Sequence, residues 1–204
     1  MSGKIYLIRH GETYWNNLGI MHGQFDIPLN NTGKTQARNV ALTLINEHFD
    51  VCYCSPLQRA VFTAKEILNF HRDTPIYYDD RLMELYKGKL EGTHRDSEKL
   101  LIPESLDLLI EYDVESKAHY FNRVKSFYDE ILPQYKDKNI LVVSHSGTVK
   151  MSMFYFNPPD NDIVTEWYNI HIPNCSVTTC ENKIPDKLPK LITYNVDKEV
   201  YPYI

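Results

Sequence analysis

Apolar residues along the chain form short runs separated by longer stretches in which they recur with helical spacing. Four runs predict strands: residues 5–8, 51–54, 76–78 and 140–143. The runs at 5–8 and 140–143 do not alternate with polar residues, which is typical of strands buried on both faces of a sheet. Two later runs, 176–180 and 191–195, are joined by a proline-containing turn and predict a hairpin at the sheet edge.

The longer stretches between these runs predict helices. One helix covers 36–49 behind Thr32, which is a suitable N-cap residue. Another begins at Ser55, where a capping residue is followed directly by proline. Strong apolar periodicity predicts a third over 115–135, and a fourth follows His145.

Alternation of strands and helices determines the expected fold class. It predicts an α/β three-layer sandwich, with a mainly parallel central sheet and helices on both faces. Residues 14–31 are expected to be a loop, because Pro28 breaks any helix there. Residues 93–112 are apolar but acidic, and they form either helical pieces of a cap or a plain surface excursion. We expect one domain over 1–204 with a small helical cap inserted at about 93–115.

Composition narrows the classes of partner. The chain has 204 residues, 43% hydrophobic and 24% charged, as in an ordinary globular domain. Its formal charge of -5 argues against nucleic acid, because binding a phosphate backbone needs a basic face. No apolar run approaches the roughly 20 residues that span a bilayer, and no signal peptide is recognisable. We therefore expect a cytoplasmic protein that binds neither nucleic acid nor membranes.

The four cysteines do not show zinc-ligand or redox spacing, and we interpret them as reduced packing residues. Cys52 and Cys54 alternate within a predicted strand and should point to the same face. Cys54 also precedes Arg59 in a way that resembles the cysteine-phosphatase loop, but the spacing is one residue too short. The thiol is therefore not the expected nucleophile.

Candidate chemistry lies where the predicted strands end. Arg9, His10 and Gly11 follow the first strand, His145 follows the fourth, and Arg59 lies at a helix start after the second. Carboxyl ends of parallel strands share one edge, where open α/β sheets bind ligands. Two arginines, two imidazoles and helix N-termini at one edge suit a dianionic tetrahedral group. Each residue alone has a plain structural explanation, so the prediction depends on their coincidence.

The chain resembles the histidine phosphatase superfamily, which includes cofactor-dependent phosphoglycerate mutases and many small phosphatases. The matching motifs span nearly the whole chain in order: Arg9-His10-Gly11-Glu12-Thr13, Asn16, Gly23 with Asp26-Ile27-Pro28-Leu29, Gly33 with Gln36-Ala37, Ser55-Pro56-Leu57-Gln58-Arg59-Ala60, Arg81-Leu82-Met83-Glu84 with Gly88 and Glu91-Gly92, Ser144-His145, and Asn174-Cys175-Ser176-Val177. The middle segment is the one stretch without a recognisable counterpart.

The resemblance implies a phosphohistidine mechanism. His10 would attack phosphorus, and Arg9, Arg59 and a protonated His145 would lower its pKa and hold the phosphoryl oxygens. Asn16 would add a neutral hydrogen bond. The residues implied to bind the phosphate are Arg9, His10, Asn16, Gly23, Arg59, His145 and Ser146.

The resemblance also implies a general acid that protonates the leaving oxygen. Spacing from Gly88 and Gly92 favours Glu84 over Glu91 for this role, although either carboxylate could instead be a solvated loop residue. No metal and no cofactor is implied, because arginines already neutralise the phosphate and no cluster has ligand spacing.

The predicted function is metal-independent hydrolysis of phosphomonoesters, with a small phosphorylated metabolite as substrate. A mutase would need further cations near the site. Here two uncharged residues, Leu85 and Tyr86, follow the candidate acid Glu84. The segment 93–112 contains only Arg95 and Lys99 as cations, against five acidic residues. Phosphoglycerate mutase activity and a non-catalytic phosphate-binding module remain the alternatives. The oligomeric state does not follow from the sequence.

Overall fold

The computed structural model describes residues 3–96, 106–158, 167–168, 170–182 and 191–196, with side chains undescribed at 106–108 and 191–196. The strands are β1 (Gly3–Arg9), β2 (Val51–Cys54), β3 (Ile76–Tyr78), β4 (Ile140–Ser144), β5 (Val177–Asn182) and β6 (Leu191–Val196). The helices are α1 (Tyr14–Leu18), α2 (Asn31–Thr43), α3 (Gln58–Leu68), α4 (Leu106–Tyr112), α5 (Lys117–Ile131) and α6 (Ser146–Phe156). Within these ranges, no helix is long and apolar enough to cross a membrane.

The strands form one six-stranded sheet in the order β3-β2-β4-β1-β5-β6. β3, β2, β4 and β1 pair in parallel, whereas β5 and β6 add an antiparallel hairpin at the edge. The predicted mainly parallel sheet and its edge hairpin are therefore confirmed.

Helices cover both faces of the sheet. One apolar core joins β-strand side chains such as Leu7 and Val142 to Val124 of α5 and Met151 of α6. The other joins the opposite side chains of the same strands to α2 and α3, and it contains both Cys52 and Cys54. The three predicted layers are therefore present, and none of the four cysteines forms a disulfide in the described structure.

Local boundaries differ from the predictions where capping decides them. Residues 14–31 are not all loop, because a reciprocal capping box between Thr13 and Asn16 starts the short helix α1. The N-cap of α2 is Asn30 rather than Thr32, since the Asn30 side chain accepts the Gly33 N–H at 2.7 Å. Helix α3 begins only at Gln58, and its N-cap, Leu57, makes no side-chain hydrogen bond.

The predicted cap at 93–115 is described in part. Helix α4 supplies one of its helical pieces, and residues 97–105 lie outside the described residues. His94 forms an isolated bridge with Ile20, which brings 93–96 against the segment that follows α1. The division into one domain and a cap stays a prediction.

Candidate active site

Sheet register brings the two histidine motifs together. Arg9 at the end of β1 pairs with Ser144 at the end of β4. His10 and His145 are the next residues, and their ring centroids lie 5.1 Å apart. The predicted meeting of the two motifs at one sheet edge is a direct consequence of this register.

Hydrogen bonding fixes the tautomer of His10. Its Nδ1 lies 2.7 Å from the Gly11 carbonyl oxygen, which only accepts hydrogen bonds, so Nδ1 carries the proton and Nε2 the lone pair. Burial, Arg59 and Arg9 hold the pKa of His10 well below its usual value. His10 is therefore neutral, as a nucleophilic imidazole must be.

Gly11 allows the close approach of two segments around this histidine. A Cβ atom at Gly11 would lie 2.4 Å from the Gly33 carbonyl oxygen. The need for glycine at this position therefore comes from the packing of the β1 end against α2.

Arg59 is fully buried and held in one orientation. Nη1 donates to the Phe25 carbonyl at 2.7 Å, Nη2 to the Gly23 carbonyl at 2.9 Å, and Nε to His145 Nδ1 at 3.2 Å. Burial lowers its pKa to about 10, so it remains a cation at neutral pH. These bonds leave one N–H on each terminal nitrogen for a ligand oxygen.

His145 differs from its expected protonated state. Its Nδ1 accepts from Arg59, so Nδ1 has no proton, and Nε2–H donates to Ser55 Oγ at 2.7 Å. Burial, then Arg59 and His10, holds its pKa well below the usual value. His145 is therefore a neutral imidazole. It is fully buried, and it is not among the residues that line the cavity next to Arg59 and His10.

Arg9 offers an uncommitted donor. Its Nη1 donates to the Ile172 carbonyl oxygen at 2.5 Å. Its Nε is buried and has no acceptor within the described part of the chain. Burial lowers the pKa of Arg9 to about 10, so the guanidinium remains charged. Buried donors are almost always paired, so this one suits a ligand oxygen.

A cavity of about 300 Å³ lies against these groups. Arg9, His10 and Arg59 line it, together with the predicted phosphate-binding residues Asn16, Gly23 and Ser146. The Asn16 amide oxygen accepts from Thr13, and the Gly23 carbonyl accepts from Arg59. Ser146 is the first residue of α6, whose N-terminus favours anions.

Glu84 also lines this cavity. Its Oε1 accepts the Tyr120 hydroxyl at 2.8 Å and the Leu85 N–H at 2.9 Å, and Oε2 accepts the Gly147 N–H at 3.2 Å. A Cβ at Gly147 would lie 2.2 Å from Oε1, so only glycine lets the carboxylate reach the start of α6.

Glu91 has a different surrounding. Its Oε1 accepts the backbone N–H groups of Gln24 and Lys87, at 2.8 and 3.2 Å. It does not line the cavity, whereas Glu84 does. This contrast supports the choice of Glu84 as the candidate acid and gives Glu91 a role in holding two loops together.

Sequence reasoning missed several residues of the cavity. His22 is buried there with its Nε2 bonded to the Thr13 hydroxyl, and burial followed by Arg59 lowers its pKa to about 3. The wall also includes basic side chains from separate segments and an aromatic one: Lys87, Arg95, Lys150, His171 and Trp167. Lys150 lies four positions after Ser146 on α6, so helical spacing could have identified it.

Comparisons with known proteins agree with this geometry. The family model of the histidine phosphatase superfamily (branch 1) matches residues 5–196. Phosphoserine phosphatase 1 of Hydrogenobacter thermophilus is 35% identical over 159 residues, covering 74% of each chain. A 2,3-bisphosphoglycerate-dependent phosphoglycerate mutase of Buchnera aphidicola is 33% identical over 201 residues, covering 79% of this chain and 87% of the mutase.

Solved structures show the same fold. A mutant phosphoserine phosphatase from Entamoeba histolytica in complex with phosphoserine superposes with a TM-score of 0.82 at 27% identity. The alignment covers 95% of this chain and 97% of that one. The same organism's enzyme in complex with 3-phosphoglyceric acid gives a TM-score of 0.79 at 28% identity, over 96% and 98% of the two chains. The chain belongs to the histidine phosphatase superfamily.

Proposed function

We propose that this protein hydrolyses phosphomonoesters through a phosphohistidine formed on His10. The observation that carries the proposal is the state of that residue. Its Nδ1 proton is committed to the Gly11 carbonyl at 2.7 Å, and Nε2 keeps its lone pair near the guanidinium groups of Arg59 and Arg9. A neutral imidazole next to fixed cations is suited to attack a phosphoryl group.

In the first step, His10 Nε2 forms a bond to phosphorus and the bond from phosphorus to the ester oxygen breaks. Arg9 and Arg59 donate to the oxygens on which charge is spread during transfer. Glu84 gives its proton to the leaving oxygen, which departs as an alcohol.

In the second step, water attacks phosphorus and Glu84 takes up the proton that the water loses. The bond from phosphorus to Nε2 breaks, which releases inorganic phosphate and regenerates neutral His10. His145 acts in both steps through Arg59, because His145 Nδ1 accepts a hydrogen bond from Arg59 Nε at 3.2 Å. Direct contact between His145 and the phosphoryl group stays a prediction.

The substrate carries a second anionic group. Lys87, Arg95 and Lys150 line the same cavity as the phosphate-binding arginines, so positive charge extends beyond what one phosphate needs. The relatives crystallised with phosphoserine and 3-phosphoglyceric acid bind ligands that hold a carboxylate beside the phosphate. We therefore propose a small phosphorylated carboxylate as the substrate.

The same cations bear on the mutase alternative. Residues 85–86 and 93–112 supply few cations, but the cavity wall takes Lys87, Arg95 and Lys150 from three separate segments. Cation supply therefore does not separate the two activities. Hydrolysis is favoured because the relatives include several phosphatases, two of them named for phosphoserine.

One assay tests the proposal. The enzyme is given phosphoserine, 3-phosphoglycerate or glycerol 2-phosphate, and phosphate release is measured. We expect release from all three, with higher kcat/KM for the two carboxylates. A parallel reaction contains 3-phosphoglycerate, catalytic 2,3-bisphosphoglycerate and enolase. Formation of 2-phosphoglycerate faster than free phosphate would establish the mutase instead, and no turnover of any substrate would favour a binding module.

A further inference from the structure

The loop that carries Glu84 is held by a largely buried side chain of α5, Arg123. Arg123 Nη1 donates to the Arg81 and Met83 carbonyls at 2.7 and 2.8 Å, and Nη2 donates to the Glu84 carbonyl at 2.9 Å. Its remaining donors go to Glu115, Nε to Oε1 at 2.7 Å and Nη2 to Oε2 at 2.9 Å. All five N–H groups of the guanidinium are therefore used.

Charge and burial make this arrangement rigid. The Arg123 and Glu115 side chains are 14% and 7% exposed, so neither ion can exchange its partner for bulk water at low cost. The pKa of Glu115 is held below its usual value, since the hydrogen bonds and charge of Arg123 outweigh burial. The pair is thus a fixed ionic support for the backbone of 81–84.

The same guanidinium positions a second group. Arg123 lies over the Tyr120 ring, 4.2 Å from its centroid, and Tyr120 is fully buried. The Tyr120 hydroxyl lies 2.8 Å from Glu84 Oε1, which also receives the Leu85 N–H. Among the described residues, the Gly147 N–H is the donor to Oε2, so Oε2 is the oxygen with the freer lone pair.

We propose that Arg123 and Tyr120 are positioning residues for the general acid. Arg123 fixes the backbone of Glu84, and Tyr120 fixes its carboxylate so that Oε2 exchanges protons with the leaving oxygen and with water. This inference rests on the proposed phosphohistidine mechanism. In it the Oε2–H bond breaks as the leaving oxygen gains the proton, and Oε2 regains a proton from the attacking water.

The test measures kcat/KM for two substrates, because kcat/KM reports the steps up to loss of the leaving group. Glycerol 2-phosphate has a poor leaving group that needs a proton, whereas 4-nitrophenyl phosphate has a leaving group that departs without one. For Tyr120→Phe we expect about a tenfold loss with the first substrate and less than about a twofold loss with the second. Because both substrates are assayed on one preparation, the ratio of the two kcat/KM values does not depend on the fraction of protein that is folded.

Tyr128→Phe is a matched control. Tyr128 is also buried on α5, but its hydroxyl donates to Ser152 Oγ at 2.9 Å, away from the acid. We expect it to leave the ratio of the two kcat/KM values unchanged. Equal losses with both substrates in Tyr120→Phe, or the same ratio change in Tyr128→Phe, would overturn the proposal.

Arg123→Lys is the second variant. Lysine keeps the charge but cannot reach three carbonyl oxygens at once. The ratio of the two kcat/KM values should therefore change in the same direction as in Tyr120→Phe, by about tenfold to a hundredfold. An unchanged ratio would remove Arg123 from the positioning role. Phosphohistidine is trapped in parallel with 4-nitrophenyl phosphate. Its presence in the wild type and in Tyr120→Phe separates failure of this inference from failure of the proposed function.

Discussion

The cavity wall has two groups of basic side chains that come from different parts of the fold. Arg9 and Arg59, which with His10 we call the buried group, lie at or after strand ends and donate to backbone carbonyl oxygens. Arg59 and His10 are buried, and Arg9 is half-buried with its Nε enclosed.

Lys87, Arg95 and Lys150, which we call the rim group, come from separate segments and are half-buried or exposed. Two of them also donate to backbone carbonyl oxygens, Arg95 to Asn16 at 3.3 Å and Lys150 to Trp167 at 2.8 Å. We therefore expect the reaction chemistry and the choice of substrate to have different structural supports.

The two groups should differ in how far their donors must reorient during phosphoryl transfer. Buried donors that already point at the phosphoryl position need not reorient during transfer, and low dielectric makes them effective. Cations that are partly open to solvent are screened, so we expect the rim group to contribute more to binding than to the transition state. Variants of the buried group should lower kcat/KM for every substrate, and variants of the rim group should alter KM for charged substrates.

The largest effect is expected at Glu84. Glu84→Gln should lower kcat/KM for glycerol 2-phosphate by about 10²–10⁴, because general acid catalysis contributes that much. The loss with 4-nitrophenyl phosphate should be small. Glu91→Gln is the control, since its side chain keeps an acceptor for the Gln24 N–H. Equal losses of Glu84→Gln with both substrates would assign the acid to another residue.

The next effect tests the buried group itself. Arg9→Gln removes a cation whose Nε has no described protein acceptor, so kcat/KM should fall by about 10²–10³. Unlike the loss at Glu84, this loss should be the same for good and poor leaving groups. A strong dependence on the leaving group would show that the buried group does not act on the phosphoryl oxygens.

The rim group should give a smaller and selective effect. Lys150→Gln should raise KM for phosphoserine about tenfold, corresponding to ~1.4 kcal/mol, and leave 4-nitrophenyl phosphate unaffected. Lys125→Gln is a suitable control, because Lys125 is an exposed cation on α5 paired with Asp129. If both substrates lost affinity equally, Lys150 would not recognise a carboxylate.

The smallest effect concerns stability. His22 is neutral when folded with a pKa of about 3, so its stabilising contribution is complete above pH 6.5 and is lost as the pH falls toward 3. Between pH 6.5 and 5.5 this loss is about 1 kcal/mol. Urea unfolding at the two pH values should show that His22→Gln loses about 1 kcal/mol less than the wild type. Identical losses would mean that His22 is not a buried neutral base.

Much of the buried group could be predicted because each residue follows a strand or begins a helix. Register then brings Arg9 level with Ser144, as a parallel sheet requires. The neutral state of His145 was not predictable, since it depends on where Arg59 Nε lies in space. Local patterns missed α1, although its capping box is in the sequence, because five residues give little periodicity.

The rim group, and the residues proposed to position Glu84, show more strongly what cannot be predicted from the sequence. Lys87, Arg95 and Lys150 belong to different segments, and only tertiary packing brings them to one wall. Arg123 resembles any other polar residue of an amphipathic helix until three of its donors are seen on carbonyl oxygens of the Glu84 loop. Contacts of this kind depend on packing between elements, which periodicity does not encode.

The central claim is that His10 carries the phosphoryl group, and rapid quench with a ³²P-labelled substrate tests it most directly. The account predicts label on the wild-type protein within one turnover, stable in base and labile in acid, as phosphohistidine is. His10→Ala should show neither label nor turnover. Full activity and the same label in His10→Ala would contradict the account.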